Sequence, residues 1–163
     1  MNRMSDLKAG RIFPWNIKKS LLLAKILNQC GKDMAQKYNL HHWDNSMVKS
    51  CVIVGLCFLK NHVYLVLEGK NPVATFQIKK KGSVLFFEKL AVNPEVSGRG
   101  YGSYCMRRIE KMAKKLDCEK IQMEVYDQSR YAIEFYQKKG YVQVGTTDTR
   151  KYMDLIMEKI VGS

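Results

Sequence analysis

The chain has 163 residues, close to half of them apolar and about a quarter charged, which suits one domain with a hydrophobic core of its own. No uninterrupted apolar run reaches the ~18 residues of a membrane span, and the first residues lack the basic, apolar, small-residue order of a secretory signal, so the expectation is a soluble cytoplasmic protein with no membrane partner. The formal charge is +13, and residues 1–60 hold ten Lys and Arg against three acids, Asp6, Asp33 and Asp44, a balance that favours anionic partners.

Along the chain, Gly10 to Asn16 reads as a short first strand, with Pro14 as a stop and Asn16 as a helix N-cap. Leu21, Leu22, Ala24 and Leu27 then follow a helical rhythm, which predicts a helix from Ile17 to about Tyr38 with a break near Gly31. Met47–Leu59 is apolar throughout. Its length predicts a helix, although Val52, Ile53 and Val54 favour a strand. His62–Glu68 and Val73–Lys79 read as a hairpin around Gly69-Lys70-Asn71-Pro72. Val84–Val92 is a long strand stopped by Asn93-Pro94. A glycine-rich loop follows, then a helix to about Leu116 with an apolar face. Ile121, Met123 and Val125 alternate with polar residues as in a half-buried strand. Arg130–Lys139 is a short helix closed by Gly140. Tyr141–Val144 and Tyr152–Ile160 are the closing strands, the last of them offering an edge for a homodimer.

The five cysteines (30, 51, 57, 105 and 118) are odd in number and lack CxxC spacing, and His41, His42 and His62 complete no ligand set with them. Neither a metal site nor a disulfide framework is expected; reduced, mostly buried thiols are.

The loop Ser97-Gly98-Arg99-Gly100-Tyr101-Gly102-Ser103 carries the chemistry. Glycines let the backbone turn tightly and approach a ligand. The opening turn of the next helix leaves N–H groups unpaired, and the helix dipole favours an anion there. Arg99 adds a charge-assisted contact. The third glycine arrives one residue too early for a dinucleotide fingerprint, and no lysine follows Gly102 as a Walker A loop requires. The loop is thus a phosphate cradle of another kind, or a turn that binds nothing.

Leu90-Ala91-Val92-Asn93-Pro94-Glu95-Val96-Ser97-Gly98-Arg99-Gly100-Tyr101-Gly102 resembles motif A of the GCN5-related N-acetyltransferases (GNAT). Ala132-Ile133-Glu134-Phe135-Tyr136-Gln137-Lys138-Lys139-Gly140-Tyr141 resembles their motif B. Both stand in the right order with a strand between, and the resemblance covers roughly residues 62–160. It implies an α/β fold of the α+β kind: a mixed, mostly antiparallel sheet of six to seven strands flanked by about four helices. A single domain over residues 1–163 would comprise acceptor-side helices in 1–60 and an acetyl-CoA-binding core in 62–160. Acetyl-CoA would be the co-substrate, with no metal. Its contacts would come from Leu90, Ala91, Val92, Ser97, Gly98, Arg99, Gly100, Tyr101, Gly102, Ser103, Ser129, Ala132 and Tyr136. Ser97 stands where Gln or Arg is usual and Ser129 where Asn is usual, so both hydrogen-bond with less reach.

The implied reaction is direct attack of a primary amine on the thioester in a ternary complex. Tyr136 matches the tyrosine that protonates the departing thiolate; packing in the core is its plainer role. The backbone N–H of Leu90 would stabilise the oxyanion, where the strand splays in this family. Glu88 is the candidate base. Val84, Phe86, Glu88, Leu90 and Val92 share one strand face, and a carboxylate on an apolar face is costly unless paired or functional; burial would raise its pKa. A salt bridge or a water-relayed path are the alternatives. His41, His42 and Trp43 are candidates for an acceptor pocket. Arg107, Arg108, Lys111, Lys114 and Lys115 read mainly as a solvated face, with Glu110–Lys114 paired at i,i+4. The acceptor is a small-molecule or peptide amine, with an anionic acceptor as a variant. The competing reading is an inactive binding module that uses its basic surface for nucleic acid or an acidic partner; no RNP-like pattern supports nucleic acid.

Overall fold

The structure is a computed structural model that describes residues 6–43, 46–149 and 151–162. Its elements, in chain order, are β1 (Leu7–Ile12), α1 (Ile17–Tyr38), α2 (Met47–Lys60), β2 (His62–Glu68), β3 (Asn71–Lys81), β4 (Val84–Val92), a 3-10 turn (Pro94–Val96), α3 (Tyr101–Lys115), β5 (Lys120–Tyr126), α4 (Arg130–Lys138), β6 (Val142–Asp148) and β7 (Met153–Ile160). The strands form one seven-stranded sheet in the order β1-β2-β3-β4-β5-β7-β6. Strand β4 runs parallel to β5, while β1–β2, β2–β3, β5–β7 and β6–β7 are antiparallel. This is the mixed α/β architecture expected above. Among the described residues, no helix is long and apolar enough to cross a membrane.

By contacts the chain divides into two compact units, Met1–Lys79 with Lys89–Arg108, and Lys80–Glu88 with Ile109–Ser163. In the first unit, β1 pairs with β2 from Leu7↔Glu68 to Ile12↔Val63. The strand thus begins and ends earlier than the expected Gly10–Asn16. Pro14 cannot donate to a ladder, and the Asn16 side chain accepts the Phe13 N–H at 3.0 Å, which folds the chain into a turn. Asn16 therefore spends its side chain on the turn and makes no side-chain cap to α1. Gly31 does not break α1; it is buried within the helix beside Ile26, Leu27, Cys30 and Met34. The packing of that face outweighs the ~1 kcal/mol that a helical glycine costs. In α2 the same tertiary effect overrides the β-branched run: Ser50, Val54 and Cys57 lie buried at helical spacing. Strand β3 is buried continuously from Val73 to Ile78, as a strand covered on both faces should be.

In the second unit, Ile121, Met123 and Val125 of β5 are buried, as their alternation predicts. Helix α4 ends at Lys138, and Gly140 takes φ +87 just beyond the cap. Strand β7 pairs with β5 from Lys120↔Ile160 to Tyr126↔Asp154 and with β6 on its other side. The C-terminal strand is thus interior, which corrects the expectation that it offers a free edge to a homodimer. The edge strands are β1 and β6.

Candidate active site

Strand β4 delivers the first candidate residues. Its buried side chains are Leu85, Phe87 and Ala91, while Val84, Phe86, Leu90 and Val92 are half-buried and Glu88 is exposed. The even-numbered face is therefore the open one. Glu88 is exposed on it, and the expectation of a buried charge among apolar neighbours is corrected. The parallel ladder joins Val84–Phe86 to Lys120–Gln122 and ends there, although β4 continues to Val92 and β5 to Tyr126. Lys89 has φ +50, a left-handed conformation rare for a side chain of this kind and a strain that gathers at functional positions. The irregularity immediately precedes the Leu90 N–H.

The loop after β4 is built by local hydrogen bonds. The Asn93 side chain accepts the Glu95 N–H at 3.1 Å, and the Asn93 N–H donates to the Val73 carbonyl at 2.8 Å. The Ser97 N–H closes the 3-10 turn onto the Pro94 carbonyl at 3.3 Å. Gly98 and Gly100 then take φ +79 and +85. A Cβ placed on either would meet no atom within 4 Å, so the loop lies against open space and its glycines answer to backbone conformation. Helix α3 opens with the Tyr104 N–H bonded to the Gly100 carbonyl at 3.0 Å. The N–H groups of Tyr101, Gly102 and Ser103 thus belong to the first turn, where no intrahelical acceptor exists. Alternating left-handed glycines before a helix N-terminus make an anion-binding concavity. A phosphate group fits this chemistry.

Tyr101 faces the other way. Its ring is buried and its hydroxyl donates to Glu68 Oε2 at 3.0 Å. Desolvation, and then the Glu68 acceptor, push the phenol above its ordinary value, so it stays a donor. Its side chain anchors the loop to the end of β2. Tyr104 adds a second tie, its hydroxyl donating to the Leu7 carbonyl at 3.1 Å.

The second unit holds the remaining candidates. Tyr136 is buried, its ring centroid 5.8 Å from that of Phe87 and 6.1 Å from that of Tyr141. Its carbonyl accepts the N–H groups of Lys139 and Tyr141 at the helix end, at 2.9 and 3.1 Å. Ser129 is buried at the start of α4, its carbonyl accepting the N–H groups of Ala132 and Ile133 at 3.0 Å each. The Tyr141 hydroxyl is buried without a partner, and burial raises its pKa, with Glu110 and Tyr136 adding to the effect. Glu110 pairs with Lys159 at 2.9 Å, a long-range partner in place of the expected Lys114.

Two of the acceptor-side candidates, His42 and Trp43, lie by Lys89 in the first unit. Lys89 Nζ lies 5.4 Å from the Trp43 ring centroid, a cation–π distance. The His42 ring stands edge-on to Trp43 at 6.4 Å. Burial, and then the Lys89 charge, lower the His42 pKa to about 4, so the imidazole is neutral near pH 7. His41 instead pairs with the Asn39 side chain at 2.9 Å. Sequence reasoning missed Lys89, because a lysine within a strand carries no sign of a backbone kink. It also missed Glu68 as the anchor of Tyr101. Cys30 bonds through its thiol to the Val92 carbonyl at 3.1 Å; burial and Asp33 push that thiol up to about 12.

The arrangement is a mixed α/β sheet in which a kinked strand runs into a glycine loop and a helix. The family model described as the acetyltransferase (GNAT) family matches residues 24–141, and the chain belongs to that family. No curated protein matches the sequence. Among solved structures, the chain is similar to a PaiA N-acetyltransferase from Thermoplasma acidophilum in complex with coenzyme A, at 17% identity and TM-score 0.72, covering 94% of this chain and 98% of the other. It is similar to the ribosomal-protein-S18-alanine N-acetyltransferase from Escherichia coli, at 12% identity and TM-score 0.73, covering 96% and 95%. A variant of the spermidine N-acetyltransferase from Vibrio cholerae matches at 15% identity and TM-score 0.68, covering 96% and 94%. At these identities the likeness is one of fold.

Proposed function

We propose that the protein is an acetyl-CoA-dependent N-acetyltransferase that acetylates a primary amine by direct attack. The observation that carries this reading is the loop at Gly98 and Gly100, left-handed at both glycines and leading straight into α3. In this reading the backbone N–H groups of residues 98–103 hold the pyrophosphate, with Arg99 adding charge. The amine nitrogen bonds to the thioester carbonyl carbon, and the C–S bond then breaks. The amine gives up its proton to Glu88, directly or through water. Exposure on the open face of β4 suits Glu88 to this task, since it can exchange that proton with solvent. The Leu90 N–H, just past the Lys89 kink, donates to the developing oxyanion. The Tyr136 hydroxyl protonates the leaving thiolate. The acid-poor residues 1–60, together with Lys89, favour an acceptor that bears an anionic group.

Acetyl-CoA at millimolar concentration is expected to raise the melting temperature, because a ligand that binds only the folded state stabilises it by mass action. Gly98→Val and Gly100→Val, which force a β-branched residue into a left-handed backbone, are expected to abolish most of that shift. Thiol release in a screen of acidic and basic amines then reads turnover. No thermal shift with the unmodified protein would remove the proposal. Equal rates on acidic and basic amines would remove the anionic acceptor alone.

A further inference from the structure

Strand β4 carries its one positive charge at a position where regular alternation would bury it. Successive residues of a strand point to opposite faces, so Lys89 would share a face with Phe87 and Ala91, which are 2% and 5% exposed. Lys89 is instead half-buried. Its Nζ lies 5.4 Å from the ring centroid of Trp43, in the connection between α1 and α2. The backbone at Lys89 is left-handed, with φ +50. A half-exposed cation–π contact is a modest return for such a conformation, and backbone strain of this kind gathers where a ligand is held.

The Lys89 charge is not balanced nearby. Among the described residues, no carboxylate lies within ion-pair distance of it. Its field falls on His42, whose ring stands edge-on to Trp43 at 6.4 Å. Burial, and then the Lys89 charge, lower the His42 pKa, so that the imidazole adds no charge at neutral pH. Lys89, Trp43 and His42 thus form one group within the first unit, with a single positive charge beside two rings. A lysine ammonium is a compact point charge. It suits one negative group and repels a second ammonium.

We propose that Lys89, held over Trp43, is the specificity-determining residue for the acceptor, selecting a small amine that carries a carboxylate and rejecting diamines and polyamines. This rests on the acetyltransferase function proposed above, in which the chain neighbours of Lys89, Glu88 and Leu90, supply the base and the oxyanion donor. The acceptor carboxylate pairs with the Lys89 ammonium, which exchanges the indole face for a charge-assisted hydrogen bond. A diamine brings its second ammonium against the same charge.

The test measures acetyl-CoA-dependent kcat/KM on sets of amines matched in length, from glycine, ethylamine and ethylenediamine to γ-aminobutyrate, butylamine and putrescine. In its preferred set the wild type is expected to favour the carboxylate over the alkylamine by at least about tenfold, with the diamine poorest. Lys89→Glu is expected to raise the diamine above the carboxylate, and Lys89→Arg to keep the wild-type order. Lys89→Met, which keeps the length of the side chain, is expected to bring the carboxylate and the alkylamine level. A lysine with only a structural role would change all rates alike and leave their order intact. Equal kcat/KM across every set, or an order that Lys89→Glu and Lys89→Met both leave unchanged, would overturn the proposal while the acetyltransferase function stands. Acetylation of none of these amines by a protein that acetyl-CoA stabilises would overturn it too. No thermal shift with acetyl-CoA would instead remove the function on which it rests.

Discussion

The Tyr101 hydroxyl donates to Glu68 across 3.0 Å, tying the first turn of α3 to the last residue of β2. The bond links residues 33 positions apart and holds the residue that directly follows Gly100. Under the proposed function the loop must keep its N–H groups aimed without help from the ligand. Tyr101→Phe keeps the ring packing and removes only the hydroxyl. It also leaves the Glu68 carboxylate with one donor fewer. The expected cost is about 1.5–3 kcal/mol of stability, the range for a hydrogen bond to a charged group, read from urea unfolding. Acetyl-CoA affinity should fall as well, because part of the binding energy must then order the loop. An unchanged affinity would show that the backbone alone holds the cradle.

Tyr136 invites a second test because it is both packed and a candidate acid. Tyr136→Phe retains the contacts to Phe87 and Tyr141. Under the proposed mechanism, kcat should drop by roughly 10²-fold or more, as for loss of a general acid, with the KM for acetyl-CoA close to wild type. Glu88→Gln should lower kcat with little effect on stability, since Glu88 is exposed. A Tyr136→Phe enzyme with unchanged kcat and a lowered melting temperature would assign the residue to the core.

Strand bounds were most legible where local and tertiary signals agree. The expected limits of β2 and β4 match the structure, since turn residues flank both runs. Glu88 shows where that legibility ends. In β4 either parity offers an apolar face: Val84, Phe86, Leu90 and Val92 on one side, Leu85, Phe87 and Ala91 on the other. Each face carries one charge, so alternation alone could not choose between them, and the longer apolar set is the half-buried one on the more open face. The Lys89 kink was equally hidden, because a left-handed lysine is selected by its surroundings and not by its own propensity. The glycine loop was legible because its backbone demand falls on residues that can meet it cheaply.

His42 offers a pH-dependent readout of the region around Trp43 and Lys89. Burial and the Lys89 charge hold its pKa near 4 in the folded chain, against about 6.5 when unfolded. The unfolded chain therefore binds this proton more readily. The stabilising effect of a neutral His42 is present above pH 6.5 and is lost as pH falls from 6.5 through 4. Other groups titrate in the same range, so the informative quantity is the difference between wild type and His42→Gln. The variant is expected to lose less stability over that interval, measured by urea unfolding at several pH values. Lys89→Met should move the His42 midpoint upward in an NMR titration, because it removes the neighbouring positive charge. A midpoint that stays put would mean that burial alone sets it. Lys89 would then meet this region only through its place over Trp43.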